Sequence, residues 1–301
     1  MRIFRSRAIG AVMLAVALIA TACSSGGDSR DGTTIVIGSA SFGESELIAE
    51  MYAQILESDG YTVDRKFNLG SREIYAAALD AGEIHLVPEY TGSALTYLGG
   101  TASADVEATA SDLRSTWAAS GVTVLQAALA QDKNGFVVTR ETADANGFTK
   151  VSDLAALNGA MSLGGPPECP DRPFCLIGLQ DTYGLVFAEF RPLDVGGPLT
   201  VTALQEGVID VGLLFTTDGV IAAEDFVLLE DDKGLQPAEN IVPALATSIA
   251  DEYGSDLTAL LDALSAELTT EALTEMNRLV GYVGEDPVSV ATEWLTSVGL
   301  L

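Results

Sequence analysis

Short apolar runs alternate with amphipathic helical segments along this chain, and that alternation limits the folds open to it. Residues 34–38 form a β-branched run, and residues 44–59 place apolar side chains at helical spacing. A second strand is predicted over residues 61–69, a second helix over 71–82 and a third, short strand over 85–88. This order predicts a layered α/β fold with mainly parallel strands.

A second unit of the same kind begins near Gly135. Helices are predicted over residues 151–157 and 199–206, and the tail, residues 255–301, is expected to be helical throughout. Pro287 opens its last helix, a position where proline is tolerated. Further strands are predicted over residues 136–139, 160–163, 208–215, 225–230 and 241–245.

Loops at the carboxyl ends of the first three strands are the candidate ligand loops. In open α/β sheets, ligands bind outside these strand ends. The loops concerned are residues 39–43, 70–73 and 89–93. We therefore expect the functional residues of the first unit to lie there.

The first residues predict export. Three arginines precede an apolar run over residues 8–20, which is too short to span a bilayer. The following Ala20-Thr21-Ala22-Cys23 resembles a bacterial lipobox, so we interpret residues 1–22 as a signal peptide and Cys23 as the lipidated first residue. An ordinary secretory signal cut near Ala22 is the alternative. Residues 23–33 are predicted to be a flexible tether, and the protein is expected outside the cytoplasm, lipid-anchored to the cell membrane.

The chain is strongly acidic, with 43 Asp and Glu against 15 Lys and Arg and a formal net charge of −28. Nucleic acid is excluded as a partner, because it is bound through a basic surface. The negative charge attracts cationic or zwitterionic solutes, although solubility alone also explains it. After the first run no segment has eighteen uninterrupted apolar residues, so we expect membrane contact only through the lipid.

Two cysteines, Cys169 and Cys175, remain once Cys23 is assigned to the lipid. In an oxidising compartment a short-loop disulfide between them is favoured over a metal site. The only histidine, His85, lies far away in a predicted strand and is expected to be structural. The chain has no Gly-x-Ser-x-Gly or Walker-type motif. We therefore expect no enzyme activity, no bound metal and no cofactor.

Five motifs occur in an order and at separations that resemble a known family. They are Gly38-Ser39-Ala40-Ser41-Phe42-Gly43-Glu44, Asn68-Leu69-Gly70-Ser71, Pro88-Glu89-Tyr90-Thr91-Gly92-Ser93, Thr216-Thr217-Asp218-Gly219 and Leu228-Leu229-Glu230-Asp231-Asp232-Lys233. Over about residues 34–301 the chain resembles the glycine betaine/choline/carnitine-binding proteins of ABC importers. The resemblance implies a monomer that captures a small zwitterionic or cationic solute and delivers it to the permease subunits.

The resemblance also implies a bilobal, type II periplasmic-binding-protein fold, in which two α/β lobes are joined by two crossover hinges. The crossovers are expected near residues 131–134 and 237–240. Lobe 1 then contains residues 34–130 and 241–301, and lobe 2 contains residues 131–240. The solute is expected to lie between the lobes.

An aromatic cage is what the resemblance implies for a quaternary ammonium group, which cannot donate a hydrogen bond. Each cation–π contact contributes on the order of 0.5–2 kcal/mol. Tyr90, Phe136 and Phe215 fall on family positions of cage walls, and Phe42 lies in the first motif. Core packing is an open alternative for Phe136, which lies in an apolar strand. A further tyrosine, common in the family just before the second crossover, is absent from residues 236–240.

For the carboxylate of a zwitterion, the resemblance implies an arginine. Arg172, inside the loop between the paired cysteines, matches that position, with a solvated surface arginine as the alternative. Asp218 is a candidate for the polar lining, although a cap on a helix that starts at Gly219 is the favoured role. The expected hydroxyl donors and polar lining residues are Ser39, Ser41, Thr91, Ser93, Thr216, Asn134 and Asn240.

The preference for one solute over the others rests on Arg172. A carboxylate-binding arginine favours glycine betaine, although choline, carnitine and a larger betaine such as ergothioneine stay open. A structural lipoprotein that keeps the fold without transport is the remaining alternative.

Overall fold

The computed structural model describes Arg30 and residues 32–301, whose elements follow in chain order. The first are β1 (Ile35–Gly38), α1 (Gly43–Ser58), β2 (Val63–Lys66), α2 (Arg72–Asp80), β3 (Leu86–Tyr90), α3 (Thr91–Tyr97), α4 (Val106–Ala118) and β4 (Val122–Val124). The middle ones are β5 (Asn134–Val138), α5 (Arg140–Asn146), β6 (Ser162–Gly165), α6 (Leu176–Tyr183), β7 (Glu189–Pro192), α7 (Pro198–Gln205), β8 (Val211–Phe215), α8 (Val220–Ala223) and β9 (Val227–Leu228). The last are β10 (Ile241–Ala246), α9 (Thr247–Glu267), α10 (Thr270–Asn277) and α11 (Pro287–Ser297).

The strands form two separate five-stranded sheets. Their orders are β2-β1-β3-β10-β4 in the first and β7-β6-β8-β5-β9 in the second. The chain leaves the first sheet after β4 and returns to it with β10. Where these two connections pass each other, Gln131 and Asn240 form an antiparallel bridge. The predicted two-lobed α/β fold with two crossovers is therefore confirmed.

Strand direction differs from the expected mainly parallel arrangement. β1 is parallel to β2 and β3, and β6 is parallel to β7 and β8. In contrast, β10 is antiparallel to β3 and β4, and β5 is antiparallel to β8 and β9. β5 and β10 are each the first strand after the chain crosses over from the other lobe. They are therefore antiparallel to neighbouring strands that helices connect within the lobe. Each sheet is consequently mixed.

Helix α1 forms the centre of the first lobe. Its apolar residues Leu47, Ile48, Met51 and Ile55 are buried, as their helical spacing predicts. The helix packs against α9 and α11 on one side and the sheet on the other. Each such buried side chain stabilises the fold by about 1.5–3 kcal/mol. This packing fixes the loop that leads into α1, which reaches the cleft between the lobes.

Three segments fold differently from the sequence prediction. The predicted helix over residues 151–157 is a 3-10 helix, Val151–Leu157. The expected loop over residues 89–93 is instead the end of β3 followed directly by α3, which begins at Thr91. The tail is not one continuous helical region, because a π-helical turn, Arg278–Val283, and Gly284 at a φ of 84° separate α10 from α11. Pro287 does open α11, as predicted.

The predicted signal peptide and Cys23 lie outside the described residues. Within residues 32–301, no helix is both long and apolar enough to cross a bilayer. Cys169 and Cys175 are joined by the predicted disulfide bond. A short 3-10 turn, Cys169–Asp171, lies inside the loop that this bond closes.

Candidate ligand-binding site

A cavity of about 370 Å³ lies between the two sheets. Residues from the 40–42, 70–75 and 90–97 segments line it on the side of the first lobe. On the side of the second lobe, the lining comes largely from residues 166–175 and from the end of β8. These are segments at strand ends, where α/β proteins bind ligands.

Three aromatic side chains form one wall of this cavity. The ring centroids of Phe42 and Phe215 are 5.4 Å apart, and those of Phe42 and Tyr90 are 6.0 Å apart. Phe42 and Tyr90 belong to the first lobe and Phe215 to the second, so the cluster crosses the cleft. Tyr97 and Phe174 add further aromatic surface. Ring faces arranged in this way attract a cation.

Tyr90 is held by Glu44, in the first turn of α1. The Tyr90 hydroxyl donates to Glu44 Oε1 at 2.6 Å. Glu44 Oε2 accepts from the Thr217 hydroxyl and from Asn277 Nδ2, each at 2.6 Å. Burial raises the pKa of Glu44, and these hydrogen bonds oppose that rise. Because Thr217 belongs to the second lobe, one buried carboxyl group connects the aromatic wall to both lobes.

A buried ion pair between Arg72 and Glu89 lies on the first-lobe side. The Arg72 guanidinium donates to both Glu89 oxygens, at 2.9 and 3.0 Å, and the Tyr75 hydroxyl donates to Oε1 at 2.8 Å. Glu89 is completely buried. The two-pronged geometry orients the guanidinium, which lines the cavity beside the aromatic wall.

Arg172 reaches across the cavity to the first lobe. Its Nη2 lies 2.7 Å from Oε1 of Glu73 on α2. The two side chains are 28% and 49% exposed, so the pair is solvated and adds little stability. The other guanidinium N–H groups of Arg172 make no hydrogen bond to any described residue, which leaves donors for an anionic group.

Two buried carboxyl groups also line the cavity. Glu239 accepts from the backbone N–H groups of Gly92 and Ser93, both at 3.0 Å, and from the Ser93 hydroxyl at 2.6 Å. Burial raises the pKa of Glu239 to about 7. Asp132 accepts from the Thr217 N–H at 3.2 Å, and burial raises its pKa well above the usual value. A cation in the cavity therefore meets carboxyl groups as well as ring faces.

The residues predicted to contact the ligand divide into two groups. Those that line the cavity are Ser41, Phe42, Tyr90, Ser93, Asn134, Arg172 and Phe215. The others, Ser39, Thr91, Phe136, Thr216 and Asn240, do not line it.

The hydroxyl groups of Ser39 and Thr91 hold the backbone in place instead. Ser39 Oγ accepts from the Asn68 N–H at 2.8 Å. Thr91 Oγ1 donates to the Ala238 carbonyl at 3.0 Å and accepts from the Asn240 N–H at 3.1 Å. These bonds fix a site loop and the second crossover, respectively.

Phe136 packs in the core of the second lobe, where only 2% of it is exposed. Core packing was the open alternative for this residue, and its apolar strand supplies the reason. Thr216 accepts from the Lys133 N–H at 2.9 Å, and Asn240 Nδ2 donates to the Ala128 carbonyl at 2.9 Å. Both polar residues therefore hold crossover segments.

The structure corrects the expected role of Asp218 and supports that of His85. Asp218 Oδ2 accepts from the Phe215 N–H at 2.7 Å, and no side chain caps α8. The carboxylate thus turns back onto the strand end rather than forward onto the helix, and burial raises its pKa to about 7. His85 Nδ1 accepts from the Val36 N–H at 3.1 Å, which is a structural contact.

Sequence reasoning missed several cavity residues, namely Arg72, Tyr75, Tyr97, Asp132, Phe174 and Glu239. Two of these residues could have been predicted from their positions in the sequence. Arg72 lies in the predicted 70–73 ligand loop, and Phe174 lies beside Arg172 inside the disulfide loop. Tyr97 lies on α3, a helix that the sequence pattern did not indicate.

Residues 33–297 match the family described as OpuAC, the substrate binding domain of ABC-type glycine betaine transport systems. The chain belongs to this family. Its members are transport substrate-binding proteins, which agrees with the expectation of a binding protein. The match covers both lobes and all the cavity residues described above.

Individual relatives are similar to the chain along most of their length. The chain is 28% identical over 280 residues to a glycine-betaine-binding protein of Pseudomonas aeruginosa, with 89% of each chain covered. It is 25% identical over 277 residues to the glycine betaine-binding protein YehZ of Escherichia coli, covering 88% of this chain and 90% of that one. The crystal structure of a glycine betaine/carnitine/choline ABC transporter protein superposes with a TM-score of 0.72 at 26% identity, covering 88% and 99%. The bilobal, type II periplasmic-binding-protein fold is confirmed by this likeness.

Proposed function

We propose that this protein is an extracytoplasmic lipoprotein that captures a quaternary-ammonium compound of the glycine betaine type between its lobes and delivers it to an ABC transporter permease. The observation that carries the proposal is the aromatic wall of Phe42, Tyr90 and Phe215 in the cavity between the sheets. A trimethylammonium group has no N–H donor, so ring faces and carboxyl groups are the surfaces that recognise it.

Arg172 is the proposed partner of the ligand carboxylate. It lies in the same cavity as the aromatic wall, and the Cys169–Cys175 bond holds its loop. A preordered loop lowers the entropy that binding must otherwise cost. The guanidinium N–H groups that make no hydrogen bond among the described residues are the donors that a carboxylate would engage.

Capture is proposed to involve closure of two lobes, residues 34–130 with 241–301 and residues 131–240. Support comes from contacts that already cross the cleft, such as Glu44 with Thr217 and Glu73 with Arg172. Release to the permease requires these contacts to open. The lipobox-like sequence at Cys23 supports anchoring of the proposed monomer to the membrane beside the transporter.

A second candidate ligand is a cation without a carboxylate, of the choline type. Both arginines that line the cavity are already paired with glutamates, Arg72 with Glu89 and Arg172 with Glu73. The cavity lining also contains the carboxyl groups of Asp132 and Glu239. A bound cation favours the ionised form of these two carboxyl groups, so this lining suits a ligand with net positive charge.

A thermal-shift panel tests the proposed function. The protein from Asp31 onward is melted with glycine betaine, choline, carnitine, ergothioneine and, as controls, glycine and proline. A ligand that binds only the folded state raises the free energy of unfolding by about 2.7 kcal/mol at a hundredfold excess over Kd. We expect a marked rise in Tm with a quaternary amine and none with the controls. If no quaternary amine raises Tm, the proposal is wrong.

A further inference from the structure

A second cavity, of about 400 Å³, lies beside the first. Phe42, Val195 and Phe215 line both cavities, so the stacked pair of phenylalanine rings stands between them. The remaining walls of the second cavity come from both lobes. The second lobe contributes α7 and α8 with the turns before them, and the first lobe contributes the π-helical turn Arg278–Val283 and the start of α1. The rings of Phe42 and Phe215 therefore border both cavities, whereas Tyr90 lines only the first.

The chemistry of the second cavity differs from that of the first. It is lined by the carboxyl groups of Glu44, Asp218 and Glu224, and by no Lys, Arg or His among the described residues. In contrast, two arginines line the first cavity. The rest of the lining is mostly small and apolar. An apolar chamber with acidic groups and aromatic faces, but without a basic residue, fits an organic cation and disfavours an anion or zwitterion.

Among the three carboxyl groups, Glu44 already accepts hydrogen bonds at both oxygens. Asp218 and Glu224 each accept at one oxygen only, Glu224 at Oε2 from Gln205 at 2.6 Å, and Asp218 is the one bonded to the strand end that carries Phe215. Asp218 accepts only at Oδ2, from the Phe215 N–H, so no described residue donates to its Oδ1. A bound cation favours the ionised form of Asp218, so the negative charge that it meets lies next to the Phe215 ring.

The backbone around this carboxylate is shaped for close approach. Gly196 has a φ of 66°, and a Cβ there would lie 3.0 Å from both Asp218 Oδ2 and the Phe215 ring. A larger residue would press on both groups that face the cation. On the opposite wall, the π-helical turn places Val280, Gly281 and Tyr282 along the cavity. Such turns are rare and frequently occur at functional sites.

We infer that this second cavity is a binding site for a small organic cation with an apolar body, held by Asp218 and the adjacent ring of Phe215. The site shares the Phe215 ring with the first cavity but uses neither Arg172 nor Tyr90, and its effect on solute capture rests on the proposed function. Because its walls belong to both lobes, an occupant stabilises the closed arrangement that the first cavity also needs. Occupancy of the second cavity therefore favours solute capture in the first.

The test is calorimetric titration with tetramethylammonium at moderate salt, which screens the general attraction of an acidic surface. We expect two equivalents to bind the wild-type protein and one to bind Tyr90→Ala. Asp218→Asn retains an oxygen for the Phe215 N–H, removes the charge, and should weaken the second equivalent at least tenfold. Val201→Trp, on α7, fills the cavity and should abolish that equivalent.

Two controls make the result specific. Asp181→Asn removes an exposed carboxylate that lines neither cavity and should leave both equivalents unchanged. Val201→Trp should keep its glycine betaine affinity within threefold when tetramethylammonium is absent, because Val201 does not line the first cavity. Binding of a single equivalent that Tyr90→Ala removes would overturn the inference. So would two equivalents that persist unchanged in both Asp218→Asn and Val201→Trp.

Discussion

The Tyr90 hydroxyl donates a 2.6 Å hydrogen bond to the buried carboxyl group of Glu44. The second oxygen of Glu44 accepts from Thr217 in the opposite lobe and from Asn277 at the end of α10. A ring that faces the ligand cavity and a contact between the lobes therefore share one acidic group. We therefore expect ligand binding at Tyr90 and lobe closure to be coupled through Glu44.

Two substitutions of Tyr90 distinguish the contribution of its ring to ligand binding from that of its hydroxyl group. Tyr90→Phe keeps the ring face but leaves Glu44 without one donor, which costs about 1 kcal/mol, or roughly fivefold in affinity through poorer closure. Tyr90→Ala also removes the cation–π contact and should weaken glycine betaine binding by at least thirtyfold. Calorimetry on the two variants measures the difference. Equal affinity of wild-type and Tyr90→Ala protein would contradict a cage role for this residue.

Substitution of Arg172 should change ligand preference rather than binding in general. Hydrogen bonds to charged groups contribute about 1.5–3 kcal/mol, so Arg172→Gln should weaken glycine betaine at least tenfold. Choline has no carboxylate, and its affinity should stay within threefold. Glu73→Gln is the matched control: it frees Arg172 from its ion pair and should tighten glycine betaine binding. An equal loss for both ligands in Arg172→Gln would show that the arginine has another role.

Loss of the disulfide should affect both stability and affinity. The bond joins residues six apart in sequence, and closure of so short a loop stabilises the folded state by about 2 kcal/mol. The Cys169→Ser, Cys175→Ser double variant should lose that free energy in urea unfolding and bind glycine betaine several-fold more weakly, because Arg172 is no longer preordered. Choline affinity serves as the internal control. Unchanged glycine betaine affinity would argue against preordering by the bond.

The stability of the protein should depend on the protonation of Glu239. Its pKa is raised by burial to about 7 in the folded state, so the folded protein holds this proton more tightly than the unfolded chain. The free energy of unfolding therefore falls as pH rises from about 4.5 to 7, by about 1–3 kcal/mol from this group. Glu239→Gln removes the titration while its amide oxygen still accepts from the start of α3.

The measurement is urea unfolding at pH 5 and pH 8. Glu239→Gln should lose less stability across this interval than the wild-type protein and should be the more stable of the two at pH 8. Glu293→Gln, at an exposed position on α11, is the matched control and should follow the wild type. An identical pH dependence in wild-type and Glu239→Gln protein would rule out this titration.

The features of the fold that depend on residues close together in sequence were predicted from local sequence patterns. The apolar spacing of α1 and the β-branched run of β1 indicated those elements directly, and the Cys-x5-Cys spacing indicated the disulfide. The mixed direction of each sheet could not be predicted in this way. It depends on the lobe from which β5 and β10 arrive, which is a property of the whole chain path.

The candidate site was predictable where one residue carries a distinctive chemistry. Tyr90, Phe42, Phe215 and Arg172 do line the cavity. The position of Phe136 could not be predicted from the sequence, because an aromatic residue in an apolar strand fits a hydrophobic core as well as a ligand cleft.

Acidic residues were harder to place, because the chain has 43 of them and most are solvated. Glu44, Asp132 and Glu239 are buried in the folded protein and are held by partners distant in sequence. Glu44, for instance, is held by Thr217 and Asn277. Only the folded chain brings such groups together.

The most direct test of the account is a crystal structure of the protein grown with saturating glycine betaine. We predict the trimethylammonium group within about 6 Å of the ring centroids of Phe42, Tyr90 and Phe215, with the carboxylate accepting hydrogen bonds from Arg172. A ligand bound away from these rings, or a cavity that stays without ligand at saturation, would contradict the central claim.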